Sequence, residues 1–258
     1  MGVPDEELAE TWLRRVGYYR LSGYWYPFRE RRNAEAVEGK LPSIEVLDTF
    51  QAGTQLSHAF NLYVFDKRLR LLFLDAIERI EVALRVDIAL MLGESDAWAH
   101  RNPNTFNRYF RSIDPADLAV RHSKWLAYLD LAAARSREEF VTHFFATYKD
   151  PLPIWIAIEL WDFGTISAIV SGMKDQDLQT LADKYLIPKR TMLASWIQCL
   201  NLVRNICAHH GRLWNRPLIV QPSFPQRKIE VFEHFERDVY AKTRLYAAAS
   251  IVQYLLRT

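Results

Sequence analysis

With 258 residues, half of them hydrophobic and 13% aromatic, the chain is long enough to bury a sizeable core, as one large domain or two small ones. Its 33 basic and 31 acidic residues leave a formal net charge of +2, which excludes a uniformly basic polyanion binder; any such preference must come from how charge is distributed. The N-terminus carries no basic-then-apolar leader, and no apolar run approaches the roughly 18 residues that span a bilayer, so a cytoplasmic protein with no membrane partner is expected.

The first fifty residues contain YYRLSGYWYPFRER, which packs Tyr18, Tyr19, Tyr24, Trp25, Tyr26 and Phe28 among Arg20, Arg29 and Arg31. Aromatics interleaved with arginine can stack bases and hold phosphates, which makes Tyr19 and Arg20 candidate RNA contacts. At least half of these rings are expected in a core instead. Leu69, Phe73, Ile77, Ile80, Leu84, Ile88 and Met91 then recur at helical spacing, and Gly93 follows as a stop, predicting a long helix from Ser57 to Leu92. Glu78, Arg79, Glu81 and Arg85 fall on its exposed side, with Glu81 and Arg85 read as a solvated i,i+4 pair.

A helix is expected after Pro115, and another from the capping-box-like Ser136, Arg137, Glu138, Glu139. Pro153 opens a helix through Trp155, Glu159 and Trp161 that breaks or bends near Gly164, and a further helix spans Asp175 to Tyr185. Pro188 opens the helix that ends at His210, with Gly211 suited to the left-handed position after it. The three prolines of PLIVQPSFP, residues 217 to 225, dictate an extended surface loop, and a last helix covers Asp238 to Arg257. No repeat, linker or strand alternation stands out, so the expectation is an all-α fold. It divides into an N-terminal aromatic and basic helical region, 1–50, and an all-helical domain, 51–258, unless 1–258 is one continuous domain.

Charge is uneven along this plan. From Lys184 to Ile229 there are eight basic residues and no Asp or Glu; removing those eight from 33 leaves 25 basic against 31 acidic elsewhere. Cys199 and Cys207, the two cysteines, lie eight residues apart on one predicted helix, about 12 Å of rise, and cannot pair. Lone thiols fit a reducing compartment, and with the neighbouring histidines they lack zinc-ligand spacing. Neither a metal nor a cofactor is expected.

The segment RNICAHHGRLWNR, residues 204 to 216, lies inside the basic stretch. At 100° per residue, Met192, Trp196, Cys199, Leu200, Val203, Ile206 and Cys207 form one apolar arc, and Gln198, Asn201, Asn205, Ala208 and His209 the opposite strip. His210 projects onto the apolar arc and reads as a core histidine supporting the others. Asn205 and His209 stand one turn apart, close enough for a mutual contact. Arg204 and His209 project about 140° apart, so a tight constellation needs two copies of the helix across a two-fold axis, which makes a homodimer part of the hypothesis. Cleavage of RNA by its own 2′-hydroxyl needs a base, an acid and a cation beside the phosphorane, roles that histidine and arginine fill without a metal. No carboxylate cluster is evident near the motif in sequence.

That segment, with GYYRLSGYWYPF (17–28), LYVFDKRLRLLFLDAIERIEVALR (62–85) and PIWIAIELWDFGTIS (153–167), resembles the Abi family of bacterial abortive-infection proteins, of the AbiD and AbiF type. Four blocks in the same order cover most of the chain. Family members commonly carry a short helical region before the first block, so the chain is expected to begin a little late. The resemblance implies a HEPN-like helical bundle with additional flanking helices, whose Arg-x4-6-His signature marks metal-independent endoribonucleases that work as dimers. It places Arg204, Asn205 and His209 in the catalytic signature, with His210 as the supporting second histidine. It also implies a phage-defence toxin acting on RNA and held in check by a bound small noncoding RNA.

Three readings follow. In the first the protein is an endoribonuclease toxin, with Arg212, Trp214, Asn215 and Arg216 touching RNA just past the helix. In the second it is a non-catalytic RNA-binding protein that forms a ribonucleoprotein with a small noncoding RNA. In the third the motif is a polar dimer contact.

Overall fold

The computed structural model describes residues 1–33, 44–116, 118–225 and 230–258, and these fall into two compact units. One comprises residues 1–72 with 210–214, the other residues 73–209 with 215–258. Ten α-helices and one two-stranded sheet among the described residues make the fold essentially all-α, as the periodicity predicts.

In the first unit, α1 (Glu6–Val16) starts where the Asp5 side chain accepts the Leu8 N–H at 2.8 Å, with Glu6 and Glu7 in its first turn and Arg14 and Arg15 in its last. Gly17, at φ 90°, ends α1 and turns the chain into α2 (Tyr18–Trp25), a conformation that would strain a residue with a Cβ. Ala9, Leu21, Tyr24, Trp25, Leu56 and Ala59 form the core, and Trp12 stacks on Phe60 at 4.2 Å. Of the six N-terminal rings singled out in the sequence, Tyr24, Trp25 and Phe28 pack in or against this core, whereas Tyr18, Tyr19 and Tyr26 are exposed.

The hairpin of β1 (Arg29–Asn33) and β2 (Ile44–Phe50) corrects the expectation of no strand. RERRN has no apolar alternation to betray it. Cross-strand ion pairs support the pairing, Arg29 with Asp48 at 2.6 Å and Arg32 with Glu45 at 2.8 Å.

The long helix α3 (Leu56–Gly93) matches its predicted bounds within a residue at each end, and Phe73, Ile77, Ile80, Leu84 and Ile88 are its buried stripe in the second unit. There follow α4 (Arg121–Arg135), α5 (Glu139–Tyr148), α6 (Ile154–Ala157), α7 (Phe163–Gly172), α8 (Asp175–Lys184), α9 (Arg190–Ala208) and α10 (Leu245–Leu255). The Ser136 capping box does not form. Ser136 ends α4, and α5 starts with Glu138 at its N-cap without a side-chain bond.

The break near Gly164 comes two residues earlier, at Asp162. This side chain accepts the Thr165 N–H at 2.7 Å and begins α7, so a good capping residue outcompetes the flexible one. The last helix starts at Leu245, after a 3-10 turn (Val239–Thr243) capped by Asp238. The PLIVQPSFP loop is extended but anchored, with Leu218 and Pro222 buried. No described helix is long and apolar enough to cross a membrane.

Candidate functional site

Helix α9 buries Met192, Trp196, Cys199, Leu200, Val203 and Cys207 and packs against α7, α8 and α10. The Trp196 indole N–H donates to the Ser223 carbonyl at 2.7 Å, which fixes the helix rotation and leaves Gln198, Asn201, Arg204 and Asn205 along its polar edge. These polar side chains are linked in series. Arg204 donates to Asn205 Oδ1 at 3.4 Å, and Asn205 Nδ2 donates to Asn201 Oδ1 at the same distance. His209 reaches Asn205 through the backbone alone, its N–H donating to the Asn205 carbonyl at 3.0 Å. Its ring is exposed, and among the described residues the expected side-chain contact with Asn205 is not made.

The helix stops sooner than the sequence suggests. Ala208 is its last residue, His209 is the cap, and His210, not Gly211, takes the left-handed conformation at φ 56°. That turn removes His210 from the apolar arc on which a continued helix would have put it. His210 is exposed. A non-glycine residue in this region is uncommon, though histidine is among those enriched there.

Arg204 opens onto a cavity of about 320 Å³ that it lines with Leu74, Glu78, Glu81, Val82 and Arg85. The Glu81–Arg85 pair is therefore not a solvated one. Glu81 is 9% exposed, its carboxylate meets Arg85 at 2.5 Å, and Arg85 also donates to the Trp161 carbonyl. Burial pushes the Glu81 carboxyl above the usual range, against the opposing charges of Arg85 and Arg204.

Asp162 behaves the other way. Burial alone would raise it, but hydrogen bonds from Thr165 and Tyr128 together with the charge of Arg204 hold its carboxyl below the usual range. The fold thus brings carboxylates of α3 and of the α6–α7 junction around Arg204, which a segment free of Asp and Glu does not reveal. Sequence separations of 42 and 123 residues conceal them, and the Glu81 to Arg85 spacing was the available hint.

Residues 210–214 belong to the first unit and are held there by α2 and the start of α3. Asp66, fully buried, accepts the Trp214 N–H at 2.6 Å, the Leu213 N–H at 3.2 Å and the Tyr24 hydroxyl at 2.6 Å, and it pairs with Arg70. Burial and the Asp66 bond push the Tyr24 hydroxyl up to about 12. Arg20 donates to the His210 carbonyl at 2.7 Å, and Arg212 donates to the Gly23 carbonyl. Arg20 and Arg212 thus spend hydrogen bonds on the backbone, though both remain exposed. Trp214 is half-buried. Tyr19, Asn215 and Arg216 are exposed, Tyr19 at 89%.

Of the eight cations between Lys184 and Ile229, Lys184 pairs with Asp87 and Arg190 with Asp175 at 2.8 Å, while Arg227 and Lys228 lie outside the described residues. Pairing reduces the positive field that the bare sequence suggests.

The blocks that meet in these two places, the aromatic helix, the acidic and basic middle of α3, the α6–α7 junction and the end of α9, coincide with a known family pattern. The model of the Abi-like proteins matches residues 11–215. The chain belongs to the Abi-like protein family. No curated protein and no solved structure matches it. In this Abi-like protein, α1 lies ahead of the GYYRLSGY block.

Proposed function

We propose that this Abi-like protein is a metal-independent endoribonuclease of the HEPN type, acting as a homodimer on RNA. Family membership supports a role in phage abortive infection. The observation that carries the nuclease reading is the end of α9: Arg204 and Asn205 bonded side by side, with an exposed histidine one turn further on. Under this reading His209 takes the proton of the RNA 2′-hydroxyl as its oxygen attacks phosphorus, or gives a proton to the departing 5′-oxygen. In the homodimer one copy supplies His209 and the other Arg204 at each of two equivalent sites. Arg204 stabilises the extra negative charge of the phosphorane, and Asn205 orients the phosphate. The products are a 2′,3′-cyclic phosphate and a free 5′-hydroxyl.

One observation favours a second reading, a non-catalytic protein that binds a small noncoding RNA. Neither the Arg204 nor the Asn205 side chain bonds the His209 ring among the described residues. The experiment is cleavage of added RNA by the purified protein in the presence of a chelator, with His209→Ala alongside. Removing a general acid or base is expected to slow cleavage by roughly 100-fold or more. An exposed side chain costs little stability, so folding should be retained. Wild-type cutting by the folded variant would remove His209 from the mechanism. RNA affinity lowered in His209→Ala, with no cleavage by either protein, would establish the second reading.

A further inference from the structure

A larger cavity, about 450 Å³, opens beside α4 and the start of α7, a volume suited to a small ligand or one nucleoside. Its walls include Phe110, Trp125 and Tyr128, and Asp162 contributes a carboxylate. Asp162 is exposed, and it uses one oxygen to cap α7 at Thr165 and the other to accept the Tyr128 hydroxyl at 3.3 Å. The Thr165 hydroxyl also bonds this carboxylate, which has about four acceptor positions, so one remains. Arg121 and Lys124 also line the cavity, both near Asp114, at 3.8 and 3.4 Å.

The cavity adjoins the motif. Gly164 lines it, and a Cβ placed there would stand 3.3 Å from Asp162 Oδ1 and 3.9 Å from the Asn201 amide. Asn201 is in turn bonded to Asn205, and Asn205 to Arg204. Asp162, in the wall of this recess, feels the charge of Arg204, which sets the recess beside the motif. Nothing in the cleavage chemistry uses that recess.

We propose that this cavity is a base-recognition pocket that selects guanine in an RNA strand, with the Asp162 carboxylate reading the base edge and Tyr128 providing a stacking face. This rests on reading the motif as an RNA site. The choice of guanine comes from donor geometry. Guanine presents two adjacent donors, the ring N1–H and the exocyclic amino group, so the remaining carboxylate position meets a donor and no lone pair on that edge. Adenine and cytosine offer an amino group beside a ring nitrogen whose lone pair repels the carboxylate, and uracil offers one N–H between two carbonyls. Arg121 and Lys124 face the sugar-phosphate chain, where position matters more than sequence.

The test titrates the full-length protein with guanosine, adenosine, cytidine and uridine 5′-monophosphates, followed by calorimetry. Guanosine monophosphate should bind about tenfold more tightly than the other three. Asp162→Asn keeps a good helix cap but exchanges one acceptor for a donor, and should erase that preference. Tyr128→Ala, at an exposed position, should weaken all four nucleotides.

A parallel assay cuts RNAs that differ in one nucleotide beside the cleavage point. Guanine-selective binding, lost in Asp162→Asn, supports the pocket even if no RNA is ever cut, in which case the nuclease reading alone fails. Cleavage with equal binding of the four nucleotides, or with the same site preference in wild type and Asp162→Asn, overturns the pocket and leaves the nuclease standing. Should Asp162→Asn not fold, nucleotide binding unchanged by Tyr128→Ala overturns the pocket just as well.

Discussion

His100 shows how a single buried residue sets a condition on the whole fold. It is 2% exposed, its Nδ1 has no partner among the described residues, and its ring packs edge-on against Trp161 at 5.9 Å. Burial, reinforced by the nearby charge of Arg101, pushes its pKa down to about 4, so the folded protein holds the ring neutral. The unfolded chain binds a proton near pH 6.5, as histidine ordinarily does. Between those two values the unfolded state therefore takes up more protons than the folded one, and stability falls as the medium is acidified. The contribution is complete above about pH 6.5 and is lost progressively as pH drops toward 4, by up to about 3 kcal/mol. Denaturant melts of wild type and His100→Phe across this range should diverge, with the variant showing the flatter profile. Parallel slopes would mean that another group carries the acid sensitivity. Cys199 illustrates the same physics without a functional consequence: burial pushes its thiol up to about 12, which leaves it protonated and unreactive at neutral pH.

At the level of elements, what could be read in advance was whatever repeats with the helical period. α3 and α9 announce themselves because a buried stripe recurs every three or four residues over many turns. Where one or two polar residues decide an end, the pattern is silent. Asp162 rather than Gly164 begins α7 because its side chain caps the Thr165 N–H, and His210 rather than Gly211 takes the left-handed turn, where distant Arg20 holds its carbonyl. Arg204 and Asn205 are neighbours in sequence and could be paired on paper, whereas the carboxylates around Arg204 arrive from distant elements.

The end of α7 offers a test of packing against propensity. A Cβ on Gly172 would lie 2.7 Å from Phe110 Cγ, and that ring is wedged between Phe106, His122 and Trp125. Backbone bonds from Asn107 to the Gly172 carbonyl at 2.8 Å and from its side chain to Ser171 keep the two segments from separating. Glycine to alanine in a helix ordinarily gains up to about 1 kcal/mol. Here overpacking costs roughly 1–3 kcal/mol, so the clash should win. Gly172→Ala is expected to lower the melting temperature by several degrees; an increase would show that Phe110 yields freely.

For the whole molecule, the question is which copies of the chain supply Arg204 and His209 to one site. Arg204 is turned toward its cavity and Asn205, while His209 leaves the end of α9 for solvent. If the nuclease works as a two-fold dimer, each working site combines Arg204 of one copy with His209 of the other. Arg204→Ala and His209→Ala should then each be inactive alone and recover activity when co-expressed. In a mixed dimer the chain that keeps Arg204 meets the chain that keeps His209 at one of the two sites, and the second site lacks both. Half of randomly formed dimers are mixed, and half of their sites are intact, so about a quarter of wild-type cleavage should return. A chain that cuts within itself gives a different result, because no pairing of the two variants restores a complete set. Co-expressed variants no more active than either one alone would place the reaction in a single copy, provided that tandem purification through a different affinity tag on each variant shows that mixed dimers had formed.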